Sequence, residues 1–445
     1  MTDASQTPDV RYGKLTRMKI RLVDVQREEF TALLWSFLYF FSLLCGYYVV
    51  RPVRDEMGIQ SGVQNLPWLF TATFVVMLAA VPVFGWLSAR FPRRVLLPSV
   101  YGFFIVNLVL FFAAFQFDAL KVHTARVFFV WLSVFNLFAV SVFWSFMVDL
   151  YTVEQGKRLF GFIAAGGTAG AIAGPALTAA LVRTLGPIPL LLVSALMLAL
   201  AIVCITRLSA WASRGRQFYQ GAPAARGAPL GGGIWDGLKE VGTSPYLLGI
   251  CFYLFCYTAL STLLYLEMAR LVADAYHSSQ ERTHLFATLD LVVNVLTLAT
   301  QLLLTAQVIK RWGVTFTLAL LPIVSIVGFG GLAFFPLLAF VIVFGVIRRA
   351  GEFALSRPAR ETLFTVVTRD QKYKAKNVID TLVYRGGDAL TGWFTAGLRS
   401  LGVGLAGVAV TAVPIAVAWA AVAVWLGRRQ QRLAAQAAPE VRSEA

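Results

Sequence analysis

The sequence predicts an all-α polytopic membrane protein. Hydrophobic residues make up 58% of its 445 residues, charged residues only 14%, and the mean hydropathy is +0.70. A soluble protein of this size would carry about a quarter charged residues. Apolar windows of about 20 residues, long enough for a helix to cross the hydrocarbon core, recur along the chain. A transmembrane barrel would instead show alternating strands of about ten residues, which the sequence lacks.

Twelve transmembrane spans are predicted, in two halves of six. They cover residues 30–50, 67–87, 95–115, 126–148, 160–182, 188–206, 245–268, 284–307, 314–334, 336–356, 387–403 and 405–427. The polar and basic residues 1–29 lack the pattern of a cleaved signal peptide, so we expect the first span to be retained.

The halves, residues 30–206 and 245–427, are joined by a linker at 207–244. The linker is rich in Gly, Pro, Ala and Arg, a composition typical of flexible segments. Its end, GIWDGLKEVGTSP, is predicted to form a short surface helix. Residues 1–29 and 428–445 are expected to be a cytoplasmic segment and a cytoplasmic tail.

The net charge of +16 would suggest a nucleic-acid partner in a soluble protein. In a membrane protein such an excess sets the topology instead. With the N-terminus inside, most of the 39 lysines and arginines fall on the inner side, which predicts cytoplasmic termini. The Ala-, Gly- and Val-rich composition indicates a bacterium, so we expect the inner membrane, with anionic lipids as partners and no nucleic acid.

Catalytic and cofactor signatures are not found in the sequence. It contains no Gly-x-x-x-x-Gly-Lys-Ser/Thr loop for nucleotide hydrolysis, no serine elbow and no metal-ligand spacing. The four cysteines lie in predicted spans and are interpreted as packing residues. We therefore expect no enzyme activity, no cofactor and no metal.

Two halves of six spans around a central loop resemble the major facilitator fold, which is built from inverted repeats. The stretch GWLSARFPRRVLLP resembles the facilitator loop signature that follows the second span. The matching positions are Gly85, Arg90, Arg93 and Arg94, whereas Ala89 and Pro92 depart from the signature.

Span 5 carries Gly166, Gly170 and Gly174 at intervals of four residues, just before Pro175. This spacing places the glycines on one helix face, which predicts close approach of a neighbouring helix. The pattern also resembles the antiporter signature on the fifth helix of facilitators.

The motif Arg-Pro-x-Arg-acid occurs twice, as RPVRDE at residues 51–56 and RPARET at 357–362. In the facilitator fold spans 1 and 10 line the cavity, so the motifs are expected at opposite lips. Arg51 and Arg54, like Arg357 and Arg360, are three residues apart and could share a helix face. The arginines could bind an anionic substrate, form gates with Asp55, Glu56 and Glu361, or contact lipid headgroups.

Other polar residues inside spans are candidate functional residues, because such groups are costly in a membrane. Glu267 and Asp290 are candidates for a coupling proton or a substrate amine. Arg349 and Glu352 lie with Arg348 in span 10, where Glu352 could simply neutralise either arginine. Asn136 and Asn294 could line the cavity or bond across helices.

Residues 353–388, FALSRPARETLFTVVTRDQKYKAKNVIDTLVYRGGD, resemble the signature stretch of the ATP:ADP antiporter family of plastids and intracellular bacteria. The residues in matching order are Arg360, Glu361, Lys374, Lys376 and Asp380. The resemblance also implies substrate contact at Arg54, where family members carry a lysine, and a role for Glu267. Arg360 likewise replaces a family lysine, and Asn136 is the polar residue nearest to the family's fourth-helix glutamate.

These observations predict a secondary transporter that moves an organic anion, nucleotide-like or otherwise phosphorylated, by alternating access. Arg54 and Arg360 are expected to contact the substrate, and Arg51 and Arg357 to gate or assist. Alternatives are a proton-coupled exporter or lipid-type flippase of the same fold, or a membrane scaffold or sensor that does not transport. The expected partners are a small anionic molecule and membrane lipids, and the expected state is a monomer.

Overall fold

The computed structural model describes residues 25, 27–91, 93–215 and 234–437. The flexibility predicted for the centre of the linker lies outside these residues, as does most of the two terminal segments. Side chains at several helical positions also lie outside the described set. Among those predicted to matter, they are Arg93, Arg94, Lys374 and Asp380.

The first half consists of long helices that match predicted spans 1 to 6. They are α1 (Arg27–Gln60), α2 (Leu66–Arg90), α3 (Arg93–Ala114), α4 (Lys121–Leu150), α5 (Val153–Leu185) and α6 (Leu190–Gly215). Helix α1 continues through Pro52, so it extends well past its predicted end at residue 50. Both arginines of the first motif therefore lie inside the helix.

The second half begins with the predicted short helix and then continues in longer ones. The elements are α7 (Ile234–Thr243), α8 (Pro245–Ala275), α9 (Ser279–Thr300), a π-helical turn (Gln301–Thr305) and α10 (Ala306–Phe334). Helix α10 is interrupted by a kink at Gly313, whose φ of 78° suits glycine, and this kink separates predicted spans 8 and 9.

The remaining helices are broken at several places. They are α11 (Leu338–Gly351), a π-helical turn (Glu352–Ser356), α12 (Arg357–Leu363), α13 (Arg369–Val378), a second turn of this type (Ile379–Val383), α14 (Tyr384–Ser400) and α15 (Leu405–Ala437). Pro358 lies in the first turn of α12, where a proline is tolerated. Helix α15 extends ten residues into the segment that we predicted to be a soluble tail.

Nine helical stretches among the described residues are long and apolar enough to cross a membrane. One of them, Ser279–Phe334, contains predicted spans 8 and 9. Predicted spans 10 and 11 coincide with α11 to α12 and with α14. Each predicted span thus has a helical counterpart, and the crossing of all twelve remains a prediction.

Buried apolar side chains form three clusters. One lies within the first half and one within the second half. The third joins the halves, with Leu66, Phe70 and Phe129 on one side and Leu266 and Phe286 on the other. These residues lie near the end of the bundle where α1 and α8 finish, which we name the closed end.

The glycine face of α5 lies directly against α1, as predicted. A methyl group at Gly166 would lie 2.5 Å from the carbonyl oxygen of Phe37, and one at Gly174 would lie 2.7 Å from that of Cys45. Gly170 approaches the backbone of Phe41 in the same way. Because only glycine leaves room for this contact, the spacing in the sequence sets the separation of the two helices.

The two halves share a local signal after spans 4 and 10. Thr152 and Gln155 form a capping box at the start of α5, and Thr368 and Gln371 form the same arrangement at the start of α13. In each case a threonine side chain accepts from the third backbone N–H of the helix. The paired boxes support the predicted repeat relationship between the halves.

Candidate functional site

Asp290 on α9 binds arginines from both halves. Arg51 Nη1 lies 3.0 Å from Asp290 Oδ1, and Arg349 Nη2 lies 2.6 Å from the same oxygen. The Asp290 carboxylate is 2% exposed, and its other oxygen has no hydrogen-bond partner among the described residues. This three-residue bridge connects α1, α9 and α11, and in this conformation Asp290 is already neutralised.

Glu56, five residues beyond Arg51, forms a second link between the halves. Arg282 donates to both Glu56 carboxylate oxygens, at 2.6 and 2.8 Å, and also to the carbonyl oxygen of Tyr276. Glu56 is wholly buried. A bidentate pair of this kind is among the stronger polar contacts in proteins. The gate hypothesis paired Glu56 with the arginines of its own motif, whereas its partner here is Arg282, which the sequence analysis did not name.

Arg54 lies toward the middle of the interface between the halves. It donates to Asp55 Oδ1 at 2.9 Å, and Tyr265 of the second half donates to the same oxygen at 3.2 Å. Its guanidinium lies 3.7 Å from the ring centre of Phe129, a cation–π contact. Arg54 also interacts electrostatically with Asp388. The Nε of Arg54 has no partner among the described residues.

Arg348 is a buried cation, 3% exposed, held by neutral groups. It donates to the hydroxyls of Ser261 at 2.8 Å and Ser325 at 3.2 Å, and to the carbonyl oxygen of Tyr257 at 3.0 Å. The rings of Tyr257 and Trp419 lie 5.3 and 5.8 Å from its guanidinium carbon. Arg348 therefore joins three helices without a carboxylate within pairing distance among the described residues.

Glu352 pairs with Arg360, and not with Arg348 or Arg349 as we had considered. Arg360 Nη1 lies 3.4 Å from Glu352 Oε1 and 2.6 Å from the hydroxyl of Tyr384. The reason is the π-helical turn that begins at Glu352. A wide turn followed by an α turn brings residues eight apart onto one face, which regular α-helical spacing does not predict.

The wide turn leaves backbone carbonyls outside the helical ladder, and α9 and its extension satisfy them. Gln301 donates to the carbonyl oxygen of Phe353 at 3.1 Å, and Thr305 donates to that of Ala354 at 2.8 Å. Both donors belong to the other π-helical turn, Gln301–Thr305. The two π-helical turns thus bond to each other beside the second arginine motif. Turns of this type are frequent at functional sites.

The remaining residues of the second motif bond within their own half. Arg357 is exposed and lies over the ring of Phe353 at 5.3 Å. Glu361 pairs with Lys376 at 2.7 Å, so it does not serve as the partner of Arg360. Lys376 also belongs to the stretch that resembles the nucleotide antiporters, whereas the side chains of Lys374 and Asp380 lie outside those described.

Two further carboxylates lie on or against α14. Glu267, 1% exposed, forms an ion pair with Arg399, and one of its oxygens has no partner among the described residues. Asp388 accepts from Thr262 at 2.6 Å and lies 3.4 Å from Arg385. Sequence reasoning missed Asp388 as a site residue, although a carboxylate just inside a predicted span was the signal for it.

The two candidate asparagines have different environments. Asn294 donates to the carbonyl oxygen of Ala171 at 2.7 Å and thereby bonds α9 to α5. This geometry matches the cross-helix alternative for Asn294. Asn136 is partly buried on α4 and makes no hydrogen bond with the described residues, so its predicted place in the cavity remains open.

The two arginine motifs are therefore engaged differently. The first bonds residues of the opposite half, whereas the second bonds residues of its own half. Polar bonds between the halves, within the described part of the chain, lie at the closed end or midway along the bundle. None of these bonds, among the described side chains, lies at the opposite end of the bundle, which we name the open end.

The sequence profile of the Major Facilitator Superfamily matches residues 31–360. The chain belongs to this superfamily. The facilitator fold that its spans and motifs predict is thereby confirmed, and with it a multi-pass membrane protein of a transporter family.

Individual facilitators and relatives agree with this assignment. Over 507 aligned positions the chain is 21% identical to ADP,ATP carrier protein 2 of Chlamydia pneumoniae, covering 95% of this chain and 93% of the carrier. The structure of a point mutant of nucleoside transporter NupG aligns with a TM-score of 0.63 at 11% identity, over 90% of this chain and 99% of NupG.

A second similar structure is a bacterial homolog of the human lysosomal transporter Spinster, in an inward-facing and unoccupied conformation. It aligns with a TM-score of 0.57 at 15% identity, over 92% of this chain and 99% of the homolog. At these identities the structural matches establish the fold alone. The resemblance to ATP:ADP antiporters is supported by the similarity to the chlamydial carrier along nearly the whole chain.

Proposed function

We propose that this facilitator moves an organic anion, nucleotide-like or otherwise phosphorylated, across the bacterial inner membrane by alternating access. The observation that carries the proposal is a group of seven arginines with only four carboxylates, counted among the described side chains, on helices that meet or adjoin the contact between the halves. We call this group the arginine cluster. It consists of Arg51, Arg54, Arg348, Arg349, Arg357, Arg360 and Arg385, together with Asp55, Asp290, Glu352 and Asp388.

An uncompensated positive charge in a membrane protein is costly unless function retains it. Arg348 contributes most clearly, because neutral groups satisfy its hydrogen bonds, and Glu352, which acts on it electrostatically, is already paired with Arg360. An anion that entered from the open end would restore the balance. Guanidinium groups suit phosphates and carboxylates because they can donate two parallel hydrogen bonds.

Within this proposal the arginines have distinct roles. Arg54 and Arg360 contact the substrate, since each lies beside an aromatic ring and pairs with only one carboxylate. Arg51 and Arg349 hold the closed end through Asp290, and Arg357 assists at the open end. Glu267 balances the charge of Arg399 and is not bound to substrate.

Two observations favour a nucleotide-like substrate. One is the set of tyrosines around the arginine cluster, and the other is the similarity to an ADP,ATP carrier protein. Tyr257, Tyr265 and Tyr384 lie close to Arg348, Asp55 and Arg360 respectively. Proteins often bind a nucleotide by pairing its phosphate with arginine and stacking its planar base on an aromatic ring. Cytoplasmic termini follow from the basic residues, so the open end would face the cytoplasm of a monomeric transporter.

Thermal unfolding of the purified protein with a panel of anions tests the proposal. The panel contains ATP, ADP, other nucleotides, sugar phosphates, dicarboxylates and phospholipid headgroups. A ligand of the folded state stabilises it by about 2.7 kcal/mol at a hundred times its dissociation constant. We expect a phosphorylated anion to stabilise the wild type and the control Arg311→Ala, but not Arg54→Ala or Arg360→Ala.

Other outcomes would favour the alternatives. Stabilisation by phospholipid headgroups alone would support a lipid-type exporter. If no anion raised the unfolding temperature, the arginines would act only as gates. Arg54→Ala would then separate a transporter from a non-transporting scaffold. It should abolish transport if the protein is a transporter, and leave complex formation intact if the protein is a scaffold.

A further inference from the structure

A second basic site lies away from the arginine cluster, on the second half of the protein. It is a groove of about 670 Å³ between the start of α8, the end of α15 and Val367, just before α13. By the distribution of basic residues, this end of the bundle is the cytoplasmic one. None of the residues that line the groove belongs to the arginine cluster.

Three arginines, Arg428, Arg429 and Arg432, line the mouth of the groove. They are exposed and lie within the five residues 428–432 of α15, so they share one side of the helix. None of them forms an ion pair or hydrogen bond with another described residue. The N-terminus of α8, where the helix dipole is positive, opens onto the same groove.

The wall of the groove is apolar and continues along α15 toward the membrane. It includes Ala421, Val424 and Trp425, and the indole of Trp425 is 44% exposed. Trp425 packs against Gly249 of α8, which fixes the position of its ring. Tryptophan at this depth is typical of the boundary between headgroups and acyl chains.

We propose that this groove binds an anionic phospholipid of the cytoplasmic leaflet. The phosphodiester would lie among Arg428, Arg429 and Arg432, and an acyl chain would lie along Val424 and Trp425. A soluble phosphate would use the arginines but gain nothing from the apolar wall. Basic pockets between helices on the cytoplasmic side are a recurring form of lipid headgroup site.

Native mass spectrometry of the detergent-purified protein tests the proposal. The probes are phosphatidylglycerol, phosphatidylcholine with the same acyl chains, and glycerol 3-phosphate without acyl chains. The test variant is Arg428→Gln with Arg432→Gln. The control is Lys310→Gln with Arg311→Gln, which removes two positive charges from another exposed inner position on α10.

We expect one phosphatidylglycerol to be retained by the wild type and the control, in preference to phosphatidylcholine. The test variant should bind it about thirtyfold more weakly, because each of the two basic residues near such a surface contributes about a factor of five. Thermal unfolding without added lipid should be the same for both variants.

Equal retention of phosphatidylglycerol by the test and control variants would overturn the proposal. Glycerol 3-phosphate bound as tightly as the phospholipid would mean a site for soluble anions, and would overturn the assignment to lipid. Equal binding of phosphatidylcholine would show that the acyl chains alone determine retention, which would overturn the role of the arginines.

Discussion

Asp290 of the second half and Arg51 of the first half are joined by an ion pair of 3.0 Å, and Arg349 shares the same carboxylate oxygen at 2.6 Å. The pair lies 239 positions apart in sequence and next to the apolar cluster that joins the halves. Its loss should therefore weaken the closed end more than it weakens either half. We therefore expect the charge of Asp290 to influence whether the closed end stays closed.

Replacing Asp290 with Asn should open the closed end more often. Hydrogen bonds to charged groups contribute about 1.5–3 kcal/mol, so we expect the open population to rise at least tenfold. The measurement is labelling of Ala269→Cys, a buried position of the joining cluster, by a membrane-impermeant maleimide. The protein without this substitution controls for the four native cysteines, and an unchanged labelling rate would contradict the gate assignment.

The contact between α5 and α1 should tolerate no side chain at Gly170. In Gly170→Ala the added methyl would overlap the backbone of Phe41 and Cys45, and overpacking of this kind costs about 1–3 kcal/mol. Gly161→Ala on the same helix is the matched control, because a methyl there meets nothing within 4 Å. Thermal unfolding in detergent should show a lower transition for the first variant only. Equal transitions would mean that α5 can move away from α1 freely.

Glu267 and Arg399 should behave as a structural pair. Glu267→Gln alone leaves Arg399 without its partner, and removing one member of a buried pair is more damaging than removing both. We expect Glu267→Gln to lower the unfolding temperature and the double variant with Arg399→Gln to recover most of the loss. If the double variant kept its stability but lost transport, Glu267 would instead have the proton-coupling role that the sequence analysis considered.

Arg348 should not be replaceable by lysine. Its guanidinium donates to three acceptors on two helices, Ser261, Ser325 and Tyr257, and an ammonium group cannot reproduce that planar geometry. We expect Arg348→Lys to bind the stabilising anion at least tenfold more weakly, measured by titrating the anion against the unfolding temperature. Lys310→Arg, an exposed exchange of the same two residue types, is the control and should bind normally.

The sequence predicted those features that depend on local spacing. The apolar windows predicted the helices, and the glycines at every fourth position of span 5 predicted close contact with a neighbouring helix, which is α1. The short helix Ile234–Thr243 was also anticipated. Each of these follows from residues close together along the chain, where helical periodicity applies directly.

Pairings across the fold could not be predicted in the same way. The sequence contained Glu56 and Arg282, but no local rule relates residues 226 positions apart. Glu352 was expected to pair at α-helical spacing, and the π-helical turn changed the register so that it meets Arg360. The partner of Asp388, Thr262, lies 126 positions earlier, so no local pattern relates the two residues. In each case the partner is set by tertiary packing.

Exchange of anions across proteoliposomes tests the central claim most directly. Vesicles containing the purified protein are loaded with unlabelled ATP, ADP or another phosphorylated anion, and uptake of the labelled anion is followed over time. The account predicts uptake that depends on the loaded anion and is lost in Arg360→Gln, with Arg311→Gln as the active control. Uptake that is equal in Arg360→Gln and the wild type, or no uptake of any anion by the wild type, would contradict transport through the arginine cluster.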